Sequence, residues 1–142
     1  MNSTVHGWRS THPGFKVMAG LAIAFGLLTI KEGGMTLSGD PAAVAAAGHY
    51  VPFVLWFNFI AGFAYVIAGL GLWLRQPWAV WLAAGIAGAT ALACLAFALH
   101  VATGAAYEMR TAIALTLRLL VWTALAALAW RAGLQRPVSS GP

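Results

Sequence analysis

Four runs of apolar residues, each about twenty long, fill most of this chain and leave only short polar links between them. They fall at about 14–33, 51–74, 78–101 and 109–130. An α-helix rises about 1.5 Å per residue, so some twenty residues cross about 30 Å of hydrocarbon. Backbone polar groups in hydrocarbon must be bonded within their own segment, which makes each run a helix. The expected fold is therefore all-α: an integral membrane, up-down four-helix bundle with lipid as its main partner.

Composition argues against a soluble alternative. Hydrophobic residues make up 61% of the 142 and charged residues 8%, with mean hydropathy +0.82. Soluble domains are about 45–50% apolar and about 25% charged. A chain this short leaves much of its surface in water and could not hide so much apolar area. The net charge is +5. The eight basic residues mostly flank the apolar runs instead of clustering on one face, which excludes a nucleic-acid partner. Cys94 is the single cysteine and lies inside an apolar run, so it reads as a small packing residue.

The ends of each run carry their own signals. Residues 1–13 form a polar N-terminal arm with Trp8, His6, Arg9 and His12, and His12-Pro13-Gly14 breaks any helix there. The first run has an uncharged centre of fourteen residues, Val17 to Ile30. That is also signal-peptide length, but no small-x-small cleavage site follows Ile30, and Lys16 and Lys31 can snorkel to lengthen the span. Lys31-Glu32-Gly33-Gly34 follows Ile30 instead, and the span runs to about Gly33. In the next link, Asp40 suits an N-cap, Pro41 a first turn and Gly48 a C′ position, giving a short helix over 41–47 that lies at the interface. Arg75-Gln76-Pro77 is a tight turn, and residues 132–142 are a tail rich in Pro, Ser and Gly, expected to be disordered.

Arg9, Lys16, Arg75, Arg131 and Arg136 lie on one side, and Lys31 and Arg110 on the other. The positive-inside rule then places both termini in the cytoplasm of a bacterial-type inner membrane, with Glu32, Asp40 and Glu108 outside. Small residues that allow close helix approach are plentiful: Gly20, Gly26, Gly62, Gly69, Gly71, Gly85 and Gly88, with Ala64-xxx-Ala68 and Gly85-xxx-Ala89 as small-xxx-small pairs.

Polar groups inside the spans are where function is sought. Arg118 lies about nine residues into the fourth run, about 13 Å deep. It shares a helical stripe with Thr111, Ala114, Leu115, Trp122 and Leu125, which should face inward. Asn58 and Tyr65 are seven apart on one face of the second span, and Glu32 ends the first. We expect these four to form an internal network. It serves either to fix helix register or to bind an anion, a carboxylate or a quinone carbonyl, since arginine presents a fork of donors.

A second constellation is Glu32, His49, His100 and Glu108, from the outer ends of all four spans. Two imidazoles and two carboxylates could hold a divalent metal such as Zn²⁺ or Cu²⁺. Lys31 and Arg110 stand beside the carboxylates, so a self-neutralising rim of ion pairs is the simpler account. The histidines are too near the rim for a haem.

The stretch Phe57-Asn58-Phe59-Ile60-Ala61-Gly62-Phe63-Ala64-Tyr65-Val66-Ile67-Ala68-Gly69-Leu70-Gly71-Leu72-Trp73-Leu74-Arg75 resembles the second-helix pattern of DoxX-like small membrane proteins. The likeness extends loosely to Gly20–Gly33 and to Trp78-Ala79. It implies a four-helix membrane protein, and some members of that family look like small subunits of quinone-linked oxidoreductases. The family carries an acid early in the second helix where this chain has Asn58, so no catalytic residue is carried over. Three functions are thus open. One is an accessory or structural subunit, or a bundle binding a small ligand at a polar site open to the outer side, without enzyme activity of its own. Another is a quinone- or metal-linked redox component. The third is a small oligomeric transporter, which the absence of a deep acid disfavours. Partners would be copies of itself or another membrane subunit.

Overall fold

In a computed structural model describing residues 13–133, the chain is all-helical. The arm with His6, Trp8, Arg9 and His12 and the tail with Arg136 lie outside the described residues, 13–133. The elements are α1 (Pro13–Leu37), α2 (Pro41–Ala47), α3 (Pro52–Trp73), α4 (Pro77–Ala102) and α5 (Met109–Arg131). Four of them, all but α2, are long and apolar enough to cross a membrane. Their surface agrees: Leu21, Ile60, Leu74, Leu92 and Leu99 are each more than 60% exposed. Apolar side chains on every outward face would be an aggregation liability in water and are ordinary in lipid. The chain is a multi-pass membrane protein.

The long helices pack in chain order: α1 on α3, α3 on α4, α4 on α5. Contacts across each pair run antiparallel. Gly69 meets Ala19 and Ile23, whereas Gly62 meets Gly26 and Ile30 and Phe59 meets Gly33. Trp81 of α4 packs edge-on against Trp130 of α5, and Phe97 against Tyr107 at the other end. The α1–α3 contact is tightest. A Cβ added at Gly26 would stand 2.9 Å from the Gly62 carbonyl oxygen, so backbone there touches backbone. Gly85 and Gly88, expected in helix contacts, have nothing within 4 Å of such a Cβ. They lie on the outward face of α4.

α1 is four residues longer than the Gly33-Gly34 pair suggested. Those glycines are not stops. The Cβ of Phe59 would lie 3.2 Å from a Cβ at Gly33, so glycine is there to admit α3. The helix ends instead at Gly39, whose φ of 80° is left-handed. α2 is capped at its start by Asp40, whose carboxylate accepts from the Ala43 N–H at 2.8 Å. Gly48, at φ 62°, closes it. Arg75 takes the left-handed position between α3 and α4, and the Gln76 N–H returns to the Gly71 carbonyl, as in a Schellman turn.

The core is split in two. One cluster gathers Ala19, Tyr65, Ala68, Leu72, Val80, Ile86 and Trp122 among others, and the second gathers Val51, Val54, Ala93, Phe97 and Leu115 nearer α2. On α3, α4 and α5 the chain positions between them are polar, Asn58, Thr90 and Arg118, and α1 adds the buried Thr29. The two threonines satisfy themselves. Each hydroxyl donates to the carbonyl four residues earlier, Phe25 for Thr29 and Ile86 for Thr90. Asn58 and Arg118 have no such recourse.

Candidate functional site

Arg118 is the centre of this layer. Among the described residues no carboxylate lies within 4 Å of it, and its buried Nε has no hydrogen-bond partner. Its guanidinium carbon instead sits 5.3 Å from the centre of the Phe25 ring, a cation–π contact from α1. Phe25 stacks on Tyr65 at 5.9 Å, and Tyr65 lies 5.0 Å from Trp122. Phe25 thus links the cation to a row of three aromatic rings. Asn58 Oδ1, Tyr65 Oη and Trp122 Nε1 are also buried without partners. Together with Arg118 Nε, these are all the buried side-chain polar atoms left unsatisfied among the described residues. Unpaired buried polar groups cost about 1–3 kcal/mol each, and the rest of the fold avoids them.

Two cavities meet Arg118. The first, of about 520 Å³, opens toward α2 and has Arg118, Asn58 and Thr29 at its depth. Glu32 and Lys31 stand exposed toward its mouth, and α2 roofs it with Ala43, Ala46 and Ala47. The second, of about 530 Å³, is an apolar cleft between α1 and α5. Arg118 is the residue common to both linings. The first cavity carries three cations, Lys31, Arg110 and Arg118, against two carboxylates, Glu32 and Glu108, an excess of one positive charge.

The roof is held by a latch. The His49 N–H donates to Glu108 Oε1 at 2.9 Å, and the His49 ring Nδ1 is 3.5 Å from the same oxygen. Arg110 donates to the Ala46 carbonyl, one of the free carbonyls at the C-terminal end of α2. The backbone N–H of His49 is the main reason the Glu108 carboxyl is held below its ordinary value, with Arg110 and the His49 ring adding to it. A Cβ at Gly48 would stand 2.5 Å from Glu108 Oε1, so only glycine fits beneath the latch.

The structure brings Glu32, Asn58 and Arg118 onto one cavity and sets Tyr65 behind Phe25, lining neither cavity. No hydrogen bond or ion pair joins the four, so the expected network is a set of neighbours facing a shared space. The expected metal constellation does not assemble. Among the described residues no group of three or more His, Cys, Asp or Glu could hold a metal ion. His49 and Glu108 meet, but His100 packs edge-on against Phe53, 6.0 Å away between ring centres. The ion-pair rim is also largely unmade: Asp40 is spent on its cap and Arg110 on a backbone carbonyl. Sequence reasoning missed Phe25. Phe25 is four residues before Thr29 on α1, but it is 39% exposed, and nothing in its spacing separates it from a lipid-facing side chain.

No family model matches the chain, and no match to it is found among curated proteins or solved structures.

Proposed function

We propose that this protein is a small-ligand-binding four-helix bundle of a bacterial-type inner membrane, with termini in the cytoplasm and a polar site open to the outer side. Its α3 pattern makes it DoxX-like, and it acts as an accessory membrane subunit without an enzyme activity of its own. The observation that carries this reading is Arg118: a deep guanidinium with no carboxylate partner, at the floor of a cavity of about 520 Å³. A cation at membrane depth costs about 2.5–3.5 kcal/mol on insertion scales. A cation–π contact returns about 0.5–2 kcal/mol of that. The remainder is what a ligand with an anionic or carbonyl oxygen would offset through the guanidinium fork. Asn58 adds an amide to the same cavity wall, and the excess positive charge favours an anion over a cation.

The test is a thermal-shift titration in neutral detergent with benzoate as a soluble carboxylate probe. Wild type is expected to gain thermal stability saturably, and Arg118→Gln to lose the gain while remaining folded by circular dichroism. A saturable gain in Arg118→Gln equal to wild type, or none in wild type, refutes the site.

A further inference from the structure

The cleft between α1 and α5 adds something the polar cavity alone does not. α1 packs on α3 and α5 on α4, and the pair α1–α5 is left ajar along its length. The opening faces sideways, toward the surrounding lipid: Leu21 and Leu28 of α1 and Leu117 of α5 are each more than 50% exposed. Its walls are hydrocarbon, with Phe25, Leu28, Val121 and Leu125 among them, and among the described residues Arg118 is its only charged one. From Arg118 to Leu125 the cleft runs seven residues along α5, about 10 Å. Arg118 thus stands where an apolar cleft meets the polar cavity.

From this we infer that the ligand is an anionic amphiphile, a long-chain carboxylate drawn from the membrane, with its head on Arg118 and its acyl chain in the α1–α5 cleft. The inference rests on the anion site proposed above and names what fills it. Charge complementarity commits it to an acid. Among the described residues Arg118 has no carboxylate within 4 Å, and Glu32, which lines the same cavity, is exposed. The chain itself gains little by leaving lipid for the cleft, because both are hydrocarbon. Selectivity therefore comes from the head group, and the cleft supplies the route. A water-soluble acid reaches the same cation only from the α2 side.

The experiment is native mass spectrometry from a neutral detergent, buffered well above the carboxylate range, with palmitate, methyl palmitate and benzoate as probes. Wild type is expected to retain one palmitate per chain, with methyl palmitate at least tenfold weaker. Ala24→Phe, which fills the cleft from a lipid-facing position, should weaken palmitate at least tenfold and leave the benzoate thermal shift unchanged. Arg118→Gln should lose both. Equal retention of the ester shows that charge is not read and overturns the inference. Full palmitate retention by Ala24→Phe does so too. A dimer that holds no lipid and dissociates in Ala24→Phe would mean that a second copy covers the cleft, and also overturns it. Benzoate binding without palmitate binding sinks this inference and spares the anion site; loss of both probes in wild type sinks both.

Discussion

Replacing Gly26 with alanine should loosen the whole molecule, although it adds a single methyl group in a helix. The new Cβ would lie 2.9 Å from the Gly62 carbonyl oxygen, 2.9 Å from Val66 Cγ2 and 3.0 Å from Tyr65 Cβ. Ordinary contact begins near 3.4 Å, so α1 and α3 must part by about half an ångström or strain around the methyl. A gap of 0.5–1 Å forfeits a quarter to a half of each dispersion contact it opens. Overpacking of this kind costs about 1–3 kcal/mol, against which alanine returns up to about 1 kcal/mol of helix propensity. A net loss near 1–2 kcal/mol is a five- to thirtyfold shift of the unfolding equilibrium. The control is Gly88→Ala on the lipid face of α4, where a Cβ meets nothing within 4 Å. That variant keeps the propensity gain and should be neutral or more stable. Both can be read as unfolding midpoints in mixed micelles of a mild and a denaturing detergent. Equal stability of Gly26→Ala and Gly88→Ala would refute the claim that backbone contact joins α1 to α3.

Two further outcomes are expected. Glu108 is held below its ordinary value of 4.5 by the His49 N–H, so the latch stabilises the folded form above that value and is lost as pH falls through the lower folded one. Amide-exchange protection over residues 41–50, taken relative to the intrinsic rate at each pH, should therefore fall in acid, and Glu108→Gln should show the reduced protection already at neutral pH. In a Cys94→Ser background, cysteines placed at Ser38 and Thr103 should react with a membrane-impermeant thiol reagent from the outer side, and one at Gln76 only after the membrane is opened. The opposite pattern would invert the bundle, and reaction of all three from one side would remove the crossings.

What the sequence made legible follows from how strict each constraint is. The bilayer leaves a long apolar run one choice, so α1, α3, α4 and α5 could be read directly. α2 was legible because Asp40, Pro41 and Gly48 are each a backbone signal with a local cause. Glycines were ambiguous for the same physical reason that makes them useful. Gly33 marks a close approach and Gly39 a turn, whereas Gly88 faces outward, and only the neighbours distinguish these cases. Arg118 stood out by depth alone, but its lack of a partner depends on where Glu32 ends up, which composition cannot say. His100 was grouped with His49 because both lie near one end of the molecule. Which side of a helix a residue faces across that end is a matter of packing, and α4 turns His100 toward Phe53. The α1–α5 cleft had no sequence signal, since an apolar side chain looks the same whether it meets a helix or lipid.

The central claim is that Arg118 serves a ligand and not the fold, and the unfolding free energy of Arg118→Met measures it most directly. With no ion pair to break, removing the cation should raise stability by about 0.5–3 kcal/mol, the insertion cost less the cation–π contact. A loss of about 3 kcal/mol or more is the signature of a buried charge whose partner has been stranded, and would show that the guanidinium holds the helices together.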